Sequence, residues 1–144
     1  MEQNPRAALV PSLERATHAV ALWIEASLHD AAITQAEAHV LGYLAQVGRC
    51  SINDLHHDFG HRRSTLTSIL DRLETRKLVR RLPHPTSRRS VMIEPTREGR
   101  TLGKRIRTLL AELERAVLRA TSPQDLETFQ RMITAIEEAA HDRR

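Results

Sequence analysis

The sequence is poor in several things at once. Of its 144 residues one is cysteine, five are glycine and four are aromatic (Trp23, Tyr43, Phe59, Phe129). A lone Cys50 leaves no intrachain disulfide and no cysteine-based zinc site. So few aromatics argue against a stacking platform for single-stranded nucleic acid. Five glycines are too few for most phosphate cradles, and no P-loop, G-x-G-x-x-G, G-x-S-x-G or H-E-x-x-H occurs. Catalysis, a cofactor and a metal centre are therefore not expected. No apolar run approaches the ~20 residues of a membrane span, and no secretory signal opens the chain. With 40% hydrophobic residues, the chain has material for a core. The expectation is a small, soluble, cytoplasmic protein with no membrane partner.

What the sequence does have is arginine in one place. The net charge is only +4. Between Gly60 and Arg107, however, 14 basic side chains, 12 of them Arg, face four acids, so this stretch carries +10 and the remainder −6. Concentrated positive charge is the footprint of a nucleic-acid surface. The planar fork of Arg suits phosphates and guanine edges.

Periodicity orders the elements. Asn4-Pro5 and Pro11-Ser12 precede a helical stripe of Leu13, Ala16, Val20, Trp23, Ile24 and Leu28. Thr34 and Glu37 form a capping box opening a helix with Val40, Leu41, Leu44 and Val47 on one face, which Gly48 stops. Ser51 and Asp54 open a second helix to about Phe59, and Gly60 turns the chain. A third carries Leu66, Ile69, Leu70 and Leu73 at i, i+3, i+4, i+7. Leu78–Pro83 and Ser90–Pro95 then read as a hairpin around an Arg-bearing loop. Thr96 caps a long helix with Leu102, Ile106, Leu109, Leu110, Leu113, Val117 and Ala120. Ser122-Pro123 opens a last one with Leu126, Phe129, Ile133, Ile136 and Ala140.

Three helices and a hairpin describe a winged helix-turn-helix, mostly α with a small β-hairpin wing. Residues 31–96 are expected to form the DNA-binding lobe, and residues 1–30 and 97–144 a helical dimerisation region. The terminal helices have broader apolar stripes than a ~65-residue lobe can cover, so a second copy is expected to pair with them. Such a homodimer would set two recognition helices about one DNA turn apart.

The stretches I-T-Q-A-E-A-H-V-L-G-Y-L (33–44), S-I-N-D-L (51–55), R-S-T-L-T-S-I-L-D-R-L-E (63–74), L-V-R-R (78–81) and the Arg88-Arg89 pair resemble the MarR family of bacterial transcription regulators. The resemblance covers roughly residues 30 to 100. It implies a homodimer on double-stranded operator DNA, usually a repressor released by a small ligand or an oxidant, and nucleoid-associated when bound. On this reading Ser51, Arg62, Arg63, Ser64, Thr65, Thr67, Ser68 and Arg72 serve DNA from the lobe, and Arg88 and Arg89 from the wing. Trp23, His39 and Tyr43 are either core packing or the lining of a pocket for a small aromatic or anionic effector.

Three departures from the family pattern stand out. Lys77 replaces a usual glycine, where a left-handed backbone would cost it about 1 kcal/mol. His84-Pro85-Thr86-Ser87 replaces Asp-Pro-x-Asp before the wing arginines, and Pro95 replaces a leucine. His56, His57 and His61 suggest a zinc sensor less than surface or phosphate-contacting histidines. Cys50, away from the first helix, reads as an inert buried thiol rather than a redox switch. The reading from a different class is a winged-helix interaction module whose basic face docks an acidic protein.

Overall fold

The computed structural model describes residues 8–60 and 62–142 of the chain. Helix α1 (Leu9–Ser27) runs through a 3-10 turn (His29–Ala31) to α2 (Gln35–Val47), followed by a two-residue strand β1 (Cys50–Ser51). Next come α3 (Ile52–Phe59), α4 (Arg63–Thr75), the strands β2 (Val79–Pro83) and β3 (Val91–Pro95), and the helices α5 (Arg97–Leu118) and α6 (Pro123–His141). Asn4-Pro5 lies outside the described residues. Pro11 falls inside the first turn of α1, where its missing N–H costs no helical bond.

The starts and stops are chemical. Thr34, Ser51 and Ser122 each accept from the backbone N–H three residues on, while Glu37, Asp54 and Asp125 accept from the cap residues. Gly48 (φ 82°) ends α2 and Gly60 (φ 59°) ends α3. Lys77 takes φ 57° after α4, the left-handed position at which the family pattern has glycine. Ala32, at φ 46°, is the other non-glycine residue in that region among those described.

The hairpin acquires a third strand that periodicity did not signal. β3 lies between β1 and β2, antiparallel to both, with Cys50 opposite Ile93 and Val79 opposite Pro95. Two residues are too short for a pattern of period two, so β1 is defined only by its partner.

By its contacts the chain divides into residues 1–107 and 108–144. The first unit has a closed core of Ile24, Leu28, Leu41, Leu44, Leu55, Leu66, Ile69, Leu70, Leu73, Ile93 and Ile106, each at most 1% exposed. The inward stripe of α4 supplies four of these, worth about 2 kcal/mol each. Gly99 and Gly103 let the start of α5 lie against the lobe. A Cβ on Gly99 would come 1.8 Å from the Leu78 carbonyl oxygen, and one on Gly103 would come 2.5 Å from the Ala45 Cβ. In the second unit no described residue is buried; Leu110, Leu113 and Leu126 are half-buried, and Phe129 and Met132 are exposed.

Candidate nucleic-acid interface

The outward face of α4 follows from the inward one. With Leu66, Ile69, Leu70 and Leu73 buried, the residues before and between them, Arg62, Arg63, Ser64, Thr65, Thr67 and Ser68, are exposed. The first turn is uncapped, as is that of α1. Arg62 at the cap position makes no side-chain capping bond, and the first turn contains no acidic residue. The first N–H groups of α4 therefore point into solvent beside two arginines, a favourable end for an anion. Ser68 returns its hydroxyl to the Ser64 carbonyl at 3.0 Å, which keeps this face short and close to the backbone.

The arginines sort into two sets. Of the 12 between Gly60 and Arg107, six are engaged within the fold. Arg72 Nε donates to Glu37 Oε1 at 2.5 Å, and Arg76 donates to the Ala31 and Ala32 carbonyls. Arg80 binds Glu94, Arg81 binds Asp71 and Glu74, Arg100 binds the Pro95 carbonyl, and Arg105 forms a two-pronged pair with Asp30 at 2.7 and 2.8 Å. The Arg105 guanidinium holds the Asp30 carboxyl down at about 2. Arg62, Arg63, Arg88 and Arg89, with Arg97 and Arg107 on α5, are exposed and without a side-chain hydrogen bond or ion pair among the described residues.

Two residues grouped with the DNA face from sequence are placed differently. Ser51 is 8% exposed, lies in β1, and spends its hydroxyl on Asp54 at 2.7 Å. Arg72 is exposed but clasps the buried Glu37, joining α4 to α2. For Ser51 the signal was Asp54, a capping partner three residues on; for Arg72 the sequence carried none, because Glu37 lies 35 residues away.

Two further clasps brace the wing, one of them against α4. Arg81 on β2 reaches Asp71 and Glu74 on α4. Glu94 on β3 sits between Arg80 and Arg49, whose hydrogen bonds hold its carboxyl below the usual range despite burial. The wing loop itself turns on His84, whose Nδ1 accepts from the Thr86 and Ser87 backbone nitrogens at 3.2 and 3.1 Å.

The remaining candidates lie elsewhere. Trp23 and His39 are half-buried, and Tyr43 donates its hydroxyl to Asp58 while its ring meets Phe59 edge-on at 5.3 Å between centroids. That hydrogen bond first, then burial, raises the Tyr43 hydroxyl to about 12. The clefts at α2–α4, at α5–α6 and at the start of α5 are lined by other residues. Burial, then Asp54 and Asp58, pushes the Cys50 thiol up to about 11, so thiolate is scarce at neutral pH. His61 lies outside the described residues, and among those described no three metal-binding side chains form a group. No helix of the described residues is long and apolar enough to cross a membrane.

Residues 33–91 match the model of the MarR family. No curated protein sequence matches the chain. Among solved structures, NadR in complex with 4-hydroxyphenylacetate is 26% identical, with 94% of this chain and 97% of that one covered at a TM-score of 0.75. The MepR–DNA complex of S. aureus is 23% identical, over 92% and 99%, with a TM-score of 0.79. MarR itself is 20% identical, over 99% and 97%, at 0.73. The likeness spans both the matched lobe and its flanking helices, and members of this family are transcription regulators rather than enzymes. Residues 33–91, which hold α2, α3, α4 and β2, carry the match to the MarR family, and the fold around them is shared with the solved structures named above.

Proposed function

We propose that the protein is a homodimeric repressor that binds a pseudo-palindromic operator and is released by a small aromatic or anionic effector. The observation that carries the DNA reading is the unengaged cation set, Arg62 and Arg63 beside the uncapped start of α4 and Arg88 and Arg89 on the wing, while six other arginines of this region hold the fold. Arg62, Arg63, Ser64, Thr65, Thr67 and Ser68 would enter the major groove, and Arg88 and Arg89 would track the neighbouring minor groove or backbone. A MepR–DNA complex of the same fold supports the partner.

Pairing of the terminal helices is supported by the apolar face of residues 108–142, where Leu110, Leu113, Val117, Leu118, Leu126 and Phe129 line a cleft of about 590 Å³. The effector is supported by the 4-hydroxyphenylacetate held by NadR. Trp23, His39 and Tyr43 remain the residues proposed for it here, with Trp23 fluorescence as the reporter. A ligand would act by favouring the spacing of lobes that does not fit DNA, for a typical coupling of ~1–3 kcal/mol.

Selection from random duplex DNA tests the reading directly. It should enrich two half-sites about one helical turn apart, with affinity that falls steeply with salt. Binding without any enriched sequence would instead favour the interaction module. Aromatic carboxylates should release the selected site, and peroxide should not, in wild type or in Cys50→Ser.

A further inference from the structure

His84 opens the wing loop, and its ring is used as an acceptor. Nδ1 faces two backbone donors, the N–H groups of Thr86 and Ser87, and lies 3.4 Å from the Thr86 hydroxyl. A nitrogen receiving N–H donors holds a lone pair, so the ring is neutral with its proton on Nε2. An Asp or Asn at such a position closes the turn through the same kind of bonds. A carboxylate remains an acceptor down to about pH 4, whereas histidine changes charge between about pH 5 and 8.

We propose that His84 is the positioning residue of the wing, and that protonation of its ring opens the Thr86–Ser87 turn and withdraws Arg88 and Arg89 from their DNA-contacting arrangement. The effect on DNA rests on the function proposed above; the effect on the turn does not. The charged groups to consider beside the ring are Asp54 on α3, whose carboxyl is held down first by Ser51 and also by the charge of His84, and Arg88 and Arg89 on the same loop.

The sign of the pH effect separates this from plain electrostatics. A wing that only gains charge binds phosphate more tightly as pH falls. A wing that loses its turn binds less tightly. His84→Asn retains an acceptor that does not titrate, and His84→Ala has none at any pH. Other histidines, including His56 and His57, are common to all three proteins, so the difference between wild type and His84→Asn isolates position 84.

Two measurements at fixed ionic strength test the proposal. In the free protein, nuclear magnetic resonance should show the Thr86 and Ser87 amides shifting together with the His84 ring between pH 8 and 5.5, and not in His84→Asn. On the selected operator, wild type should lose about five- to tenfold more affinity than His84→Asn over that range, the loss of two net hydrogen bonds of about 1 kcal/mol converted to a ratio and reduced by the added charge. His84→Ala should bind weakly throughout. Amides indifferent to the ring's titration, or parallel binding profiles for wild type and His84→Asn, would overturn it. Amides that titrate in a protein that binds no duplex would uphold the turn and remove the DNA reading alone.

Discussion

The stretch from Ile24 to Ile106 and the stretch from Thr108 to Asp142 handle apolar surface in opposite ways. The first turns its leucines and isoleucines onto one another and uses arginines to lock the result, through Glu37, Glu94, Asp71, Glu74 and Asp30. The second has equally regular helices, capped by Ser122 and Asp125, yet leaves Phe129 56% exposed and Val117 57% exposed. Regular helix formation is thus separate from burial: caps and periodicity form a helix, and only a partner surface completes it.

The largest effect that would break the contrast is in the closed region. Gly99→Ala drives a methyl group into the Leu78 carbonyl, and α5 must move away from the lobe. We expect a loss of about 3 kcal/mol or an insoluble product, read by thermal denaturation. Unchanged stability would show that α5 does not pack as described.

Next comes the open region. Phe129→Glu or Ile133→Glu should dissociate the proposed dimer by placing a charge in an apolar contact, and DNA affinity should collapse with it. Sedimentation decides the matter, and a wild-type protein monomeric at micromolar concentration would remove the pairing altogether.

The two sets of arginines give a finer comparison. Arg89→Ala and Arg88→Ala should each cost roughly 1–3 kcal/mol of DNA binding with an unchanged melting temperature. Arg72→Ala should lower stability by about 1–2 kcal/mol, because buried Glu37 keeps the Thr34 N–H but, for a cation, only the more distant Arg76 at 3.7 Å; half-exposure of Arg72 limits the loss. Equal melting temperatures for Arg72→Ala and Arg89→Ala would erase the distinction. The smallest effect is a gain. Lys77→Gly should raise stability by about 1 kcal/mol, since the backbone there is already left-handed.

Local chemistry was legible in the sequence because its causes are local. Thr34 with Glu37, Ser51 with Asp54 and Ser122 with Asp125 sit three residues apart, and the α4 stripe repeats every turn. Even the strained position of Lys77 is visible as a departure from a glycine pattern. Long-range partnerships were not. Arg72 meets Glu37 from 35 residues away, and Arg49 meets Glu94 from 45, so nothing in their own neighbourhoods distinguishes them from the unengaged arginines. The few glycines were informative as an absence of phosphate loops but not as contact points, because the atoms that Gly99 and Gly103 must avoid belong to β2's edge and to α2. His84 was noted as a missing acid, and its acceptor role emerges only once the turn brings Thr86 and Ser87 back to its ring.

One consequence of the two-faced α4 concerns how such a protein changes over generations. Its inner residues and its clasping arginines are committed to folding, whereas Arg62, Arg63, Thr65 and Thr67 hold nothing else in place among the described residues. Substitutions at these four positions are thermodynamically almost silent, so selection on target sequence can explore them without first accumulating spare stability. A library randomised there should remain folded in most of its members while differing in the duplexes it prefers. New regulatory wiring could arise on this scaffold by point changes alone.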